Sequence, residues 1–227
     1  MSERAPVLLS VSRARCALAV AGVLVVTAGL AAELLERAVG HPLVITSRLS
    51  LSYEGNLPTF YSTVLLFSCA LALAVLAQSA VDRRADWRLL SLVFALMALD
   101  EAASFHELLN QDRTLGGVFF YGWVIPGIAV VALLAVFFLP FVAGLHKPLR
   151  GRIVVAGSLY VGGALVVELV LGVWTDRHGQ LGLGYALIDL VEEALEIAGA
   201  SVFLWALLCQ ISVVNARVAV LDDSALS

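Results

Sequence analysis

The chain has 227 residues, of which 61% are hydrophobic and only 14% are charged, whereas soluble domains carry about 25% charged residues. Its apolar residues fall in runs too long for ordinary core helices, so the composition argues against a water-soluble protein and indicates a lipid bilayer as the surrounding medium. The net charge of −4 and the position of many acids inside apolar runs argue against a nucleic-acid ligand.

Six apolar runs each reach the roughly 20 residues that cross a bilayer. They cover residues 16–36, 58–80, 88–110, 117–145, 152–174 and 185–213. We therefore predict an all-α protein, a six-helix transmembrane bundle that forms a single domain over residues 1–213, with a short cytoplasmic tail at residues 214–227. The first run follows a basic segment, as in a signal peptide, but it lacks a convincing small-residue cleavage site, so we expect it to be retained as a span.

Positive charge predicts the orientation, because Lys and Arg collect in short cytoplasmic loops. Ten of the fourteen lie in the N-terminal segment, the second and fourth loops and the tail: Arg4, Arg13, Arg15, Arg83, Arg84, Arg88, Lys147, Arg150, Arg152 and Arg217. The opposite side carries four: Arg37, Arg48, Arg113 and Arg177. We expect a multi-pass protein of the cell inner (plasma) membrane with both termini in the cytoplasm.

Carboxylates lie inside three of the predicted spans, where charge is costly and usually functional. The third span ends in DEAASFHE at residues 100–107, the fifth carries Glu168, and the sixth carries Asp189 and the segment EEALE at residues 192–196. Eight of the eighteen acids are thus intramembrane, and none of these spans has Lys or Arg within its interior. At about 1.5 Å per residue, the acids share one layer in the outer half of the bilayer and at its midplane.

Helical spacing bears on which of these acids act together, because residues three, four or seven apart share a face. Asp100 aligns with Glu107, and Glu196 aligns with both Glu192 and Glu193. In a continuous helix His106 would lie on a different face from Asp100, so the whole 100–107 segment cannot point to one spot. The long first outer loop, residues 40–57, could lie on the membrane surface or cap the bundle. Tyr53 and Glu54 in this loop could cap the acids, but we expect them to be solvated.

Eight ionised acids at a cost of about 2.5–3.5 kcal/mol each require compensation by protons or by metal cations. Oxygen-rich sites with one imidazole suit iron, manganese or zinc, and helix bundles build two-metal sites from inward-facing Glu and Glu-x-x-His pairs. The chain has the Glu193–Glu196 pair but no Glu-x-x-His. We predict one or two divalent transition metals (iron, manganese or zinc), with these candidate ligands: Asp100, Glu101, His106, Glu107, Glu168, Glu192, Glu193 and Glu196.

Three functions fit such a chain. A metal-dependent membrane oxidoreductase or hydrolase would act on a lipid-soluble or small-molecule substrate, with a redox pair of metals or a zinc that activates water. A proton- or cation-coupled transporter would titrate the same acids, although the inverted repeats common in carriers are not evident. In a structural or assembly subunit the acids would hydrogen-bond between helices, and a carboxylate would orient His106 or fix its tautomer. The oligomeric state does not follow from the sequence.

Five segments together resemble a group of bacterial multi-pass membrane proteins of unknown function. They are LPTFYS (57–62), DEAASFHE (100–107), YGWVIPG (121–127), GGALVVE (162–168) and EEALEIAG (192–199). The resemblance covers residues from about 50 to 210. It implies DExxxxHE and EExxE as the group's motifs and carries over no activity.

Overall fold

The described part of the chain is helical throughout. The computed structural model describes residues 11–80, 82–111 and 115–225, and within these ranges it contains helices and no strand. The α-helices are α1 (Val11–Val39), α2 (Val44–Leu49), α3 (Leu57–Ser79), α4 (Arg84–Ala103), α5 (Val124–Gly144), α6 (Lys147–Val161), α7 (Glu168–His178) and α8 (Leu183–Ala225). A π-helical segment, Gly162–Val167, joins α6 to α7, and two 3-10 turns, His106–Gln111 and Gly117–Phe119, lie between α4 and α5.

Five helices of the described ranges are long and apolar enough to cross a membrane. They are α1, α3, α5, the continuous helix from Lys147 to His178, and α8 from Leu183 to Asn215. The prediction of an all-α, multi-pass membrane protein is confirmed at this level. Helix α4 is not among the five, because basic and acidic residues stand near both of its ends. The sixth span and the sides of the termini stay predictions. Of the residues that carry the orientation argument, Arg4, Arg113 and the Arg217 side chain lie outside the described part.

The third predicted span ends earlier than its apolar pattern suggests. Helix α4 stops at Ala103 rather than at residue 110, and Ser104 adopts a left-handed backbone conformation with φ 48°. The chain then turns into the 3-10 helix that begins at His106. Asp100 stabilises this turn, since its Oδ1 accepts the backbone N–H of His106 at 3.1 Å. The candidate residues 106 and 107 therefore follow the end of a helix and are not part of it.

Helix α8 is the element around which the others assemble. It packs against α1, α3, α6 and the π-helical segment, while α3 also packs along α4. The core between them contains fully buried side chains such as Cys69, Leu73 and Leu207. Glycine permits a close approach of α8 to α6: a Cβ on Gly199 would lie 2.6 Å from the backbone N of Tyr160. On the outside, α5 exposes large apolar side chains that include Leu133 and Val136, as expected for a helix that faces lipid.

The first outer loop folds back on the end of α1. Glu33 accepts a short hydrogen bond from the Ser50 hydroxyl. Glu36 accepts hydrogen bonds from Thr46 Oγ1 at 2.9 Å and from the Tyr53 hydroxyl at 2.8 Å. The second of these bonds raises the pKa of the Tyr53 phenol above its ordinary value, so Tyr53 stays a donor. The loop is therefore tied to the bundle and does not lie free on its surface.

Candidate functional site

Four carboxylates of α8 follow one another along the start of the helix. Asp189, Glu192, Glu193 and Glu196 are spaced by three, four and seven residues, so they form one broad stripe. Glu192 is only 8% exposed, and the other three are partly buried. Because α8 is enclosed by α1, α3, α6 and the π-helical segment, the stripe faces the interior of the bundle.

Glu168 reaches this stripe from the other side. It is 6% exposed and follows directly after the π-helical segment. Gly163 lets that segment approach α8 closely, since a Cβ there would lie 2.7 Å from the Glu192 carbonyl oxygen. The Glu168 carboxylate accepts a hydrogen bond from Trp123 Nε1 at 2.8 Å and pairs with the Glu192 carboxyl. Two buried carboxyl groups from different helices therefore meet with one N–H donor.

Helix α4 contributes a further carboxylate, Glu101, to the acids of α8 and Glu168. This carboxylate lies within electrostatic range of Glu193 and Glu196 across the bundle. It also interacts with Glu54, which comes from the first outer loop. Ser104 Oγ donates to Glu54 Oε2 at 3.2 Å and so holds that carboxylate beside the end of α4. Seven carboxylates thus form what we call the acid cluster: Glu54, Glu101, Glu168, Asp189, Glu192, Glu193 and Glu196.

Asp100 and His106 form a pair at the edge of the acid cluster. His106 Nδ1 lies 2.9 Å from Asp100 Oδ2, although helical periodicity predicted that the two would lie on different faces. That prediction was wrong because α4 ends between them and the turn brings the ring back. An ionised carboxylate only accepts hydrogen bonds, so the tautomer that suits this pair has its proton at Nδ1 and its lone pair at Nε2. Nε2 lies 3.6 Å from Glu107 Oε1.

The predicted residues therefore fall into two groups. Glu101, Glu168, Glu192, Glu193 and Glu196 come together in the acid cluster. Asp100, His106 and Glu107 lie on the turn after α4. His106 and Glu107 are within electrostatic range of Glu168, but the Glu107 side chain is 47% exposed and accepts a hydrogen bond from Asn110 at 3.1 Å. The alignment of Asp100 with Glu107 along one helix is lost.

Sequence reasoning missed several partners of these acids. Ser52 Oγ donates to Asp189 Oδ2 at 2.6 Å, and Trp123 donates to Glu168. The Tyr160 hydroxyl pairs with Glu196. Glu54 was expected to be solvated, whereas it interacts with Glu101, Glu193 and Glu196. The only signal in the sequence was the run of Ser, Tyr, Glu and Asn in the long outer loop, which does not by itself indicate where the loop lies.

The acid cluster has no basic counterion in the described part of the chain. The ion pairs of Lys and Arg found there join Arg37 to Glu33 and Arg83 to Asp86, and neither acid belongs to the cluster. Glu192 Oε2 is buried and has no hydrogen-bond partner. Burying a carboxylate without a partner is expensive, several kcal/mol for an ionised group. The cluster is thus a site of uncompensated negative charge that a proton or a cation would neutralise.

The side chains do not form a ready-made coordination sphere. Within the described ranges no group of three or more His, Cys, Asp or Glu side chains is placed to hold a metal ion. Next to the cluster, Ser62, Tyr160 and Glu196 help to line a cavity of about 10 Å³, which is the size of about one water molecule. Metal binding at the cluster would therefore require rotation of carboxylate side chains.

Comparison with known proteins finds a matching family but identifies no activity. A protein-family model described as a domain of unknown function (DUF8692) matches residues 11–211. No curated protein and no solved structure matches the chain significantly. The family match covers every residue of the acid cluster.

Proposed function

The chain belongs to the family of the domain of unknown function DUF8692, and we propose from the geometry of its carboxylates that it is an integral membrane protein whose acid cluster binds a divalent transition metal. The observation that carries the proposal is Glu192 Oε2, which is buried and has no hydrogen-bond partner. A divalent cation would offset the negative charge of several neighbouring carboxylates at once, whereas a hydrogen bond would satisfy only one of them.

The proposed ligands are the acids that meet in the bundle, Glu101, Glu168, Glu192, Glu193 and Glu196. Asp100 orients the His106 ring by holding its Nδ1, an arrangement that metal-binding histidines commonly have. His106 Nε2 and Glu107 would add ligands from the turn after α4. An oxygen-rich set with one imidazole suits iron, manganese or zinc. Such a metal would supply Lewis-acid, water-activating or redox chemistry, as in a membrane hydrolase or oxidoreductase.

The membrane placement is part of the same proposal. Helix α4 has 20 residues, which at about 1.5 Å each span a bilayer core of about 30 Å. With α4 as the sixth span, both termini lie in the cytoplasm and the acid cluster lies towards the outer side. A small or lipid-soluble substrate would reach the cluster from the outer loops or from the bilayer.

Elemental analysis of the detergent-purified protein tests the metal. We expect about one or two equivalents of iron, manganese or zinc per chain after reconstitution, as in carboxylate-rich helical bundles. The double variant Glu193→Gln/Glu196→Gln is expected to lose most of this metal. Asp86→Asn is the matched control, because Asp86 pairs with Arg83 away from the cluster. Only trace metal in the reconstituted protein, or equal metal in the double variant, would contradict the proposal.

A second candidate is a proton- or cation-coupled transporter, and the π-helical segment favours it. Irregular helical turns often mark functional sites, and this one lies directly before Glu168. Carriers commonly use broken helices beside buried charges. A liposome flux assay separates the two functions. Flux that Glu193→Gln abolishes while the bound metal stays unchanged would favour transport and would contradict a role of Glu193 as a metal ligand.

A further inference from the structure

An open groove runs along the outer surface of α7, away from the acid cluster. Its volume is about 420 Å³, and it is lined by Val118 and by α7 side chains from Leu169 to His178. Those α7 residues lie three, four and seven apart, so they form one stripe of the helix. The stripe is apolar near Leu169 and Val170 and basic at Arg177 and His178.

The basic side chains at the end of the groove, Arg177 and His178, are available to bind an anion. Arg177 is exposed and takes part in none of the ion pairs of the described residues. His178 Nδ1 donates to the Trp174 carbonyl at 3.2 Å and its ring stacks on Trp174 at 4.4 Å, so the imidazole is held against the groove. The nearest carboxylate in sequence, Asp176, accepts the backbone N–H of Gly117 at 3.0 Å and forms no ion pair with Arg177.

We propose that this groove binds an anionic glycerophospholipid from the surrounding bilayer. α7 forms the end of a membrane-length helix, Lys147–His178, so its apolar stripe faces acyl chains and its last turn reaches the headgroup region. One acyl chain lies along Val170 and Val173, and the phosphate meets Arg177 and His178. Arginine forms charge-assisted, often bidentate hydrogen bonds to phosphate.

Native mass spectrometry of the full chain tests the site. The protein is equilibrated in micelles that contain equal amounts of phosphatidylglycerol and phosphatidylcholine, and the retained lipid is counted for each variant. Arg177→Ala removes the anion contact, while Val170→Trp fills the apolar end. The matched controls are Arg48→Ala, an exposed arginine of α2, and Val155→Trp, an exposed valine of α6 outside the groove. Circular dichroism confirms that each variant is folded.

We expect the wild-type chain to retain phosphatidylglycerol in preference to phosphatidylcholine. Arg177→Ala is expected to lower that affinity by about tenfold, the effect of losing one charge-assisted contact. Val170→Trp is expected to lower it similarly, and both controls are expected to keep it. Equal retention of the two lipids by the wild type would overturn the proposal. So would unchanged binding by both groove variants, or an equal loss in Arg48→Ala, which would show attraction to general positive charge.

Discussion

At the scale of single residues, the hydrogen-bond partners of Glu192 distinguish a metal site from a set of structural hydrogen bonds between helices. A structural carboxylate is satisfied by donors, as Glu36 is by Thr46 and Tyr53. Glu192 Oε2 has no such donor although the residue is only 8% exposed. An ionised side chain in this state costs stability unless a proton or a cation neutralises it.

Glu192→Gln is therefore expected to have two opposite effects. It removes a buried carboxyl group that no basic side chain of the described residues offsets, so the metal-free protein should gain about 1–3 kcal/mol of unfolding free energy. It also removes a proposed metal ligand, so the added stability that metal gives the wild type should shrink. Thermal unfolding in detergent, with and without added metal, measures both effects. Glu36→Gln is the control and should lose about 1 kcal/mol under both conditions, because it weakens two hydrogen bonds. Loss of stability in metal-free Glu192→Gln would contradict the expectation.

At the scale of elements, two departures from regular helix build the site. The early end of α4 at Ala103 returns His106 to Asp100. The π-helical segment Gly162–Val167 sets Glu168 against α8, and Gly163 is the point of closest approach. Each departure aims a side chain that a continuous helix would have directed elsewhere. The distance between α8 and the π-helical segment therefore decides whether Glu168 can meet Glu192.

Neighbouring glycines of the π-helical segment provide a matched test. A Cβ on Gly163 would meet the Glu192 carbonyl oxygen at 2.7 Å and Glu196 Cγ at 3.0 Å, whereas a Cβ on Gly162 meets nothing within 4 Å. Gly163→Ala should cost about 1–3 kcal/mol of unfolding free energy by overpacking, and should weaken metal binding. Gly162→Ala should be neutral or stabilising by up to about 1 kcal/mol, because alanine favours helix. Chemical denaturation of both variants measures the difference, and equal effects would show that the close approach is unimportant.

At the scale of the whole molecule, the outer loops and the bundle form one unit. Ser52 and Glu54 are carried over the acids because Glu33 and Glu36 tie the loop to the end of α1. At this end of the bundle α1 and α4 end and α3 and α8 begin. The side of the membrane on which it lies therefore decides from which compartment ions or substrates approach the cluster.

Cysteine labelling in intact cells determines that side. In a background with Cys16, Cys69 and Cys209 replaced, an impermeant maleimide should label Leu181→Cys, because Leu181 is 99% exposed in the loop before α8. Asp82→Cys, exposed between α3 and α4, should be labelled only after the membrane is opened. The excess of Lys and Arg on the Asp82 side is the physical reason. The reverse pattern would place the acid cluster towards the cytoplasm.

The amino-acid sequence by itself determined the helical class, the apolar runs and the presence of acids within them, because these depend on composition and short-range periodicity. It also grouped eight residues as candidate ligands, of which Glu101, Glu168, Glu192, Glu193 and Glu196 come together in the acid cluster while Asp100, His106 and Glu107 lie on the turn after α4. Only the tertiary structure decided that α4 ends before His106, that Glu54 and Ser52 join the acids, and that Trp123 donates to Glu168. These contacts join residues that are far apart in the chain. Helix packing and loop closure determine these contacts. Neither can be deduced from the helical spacing of residues within one segment.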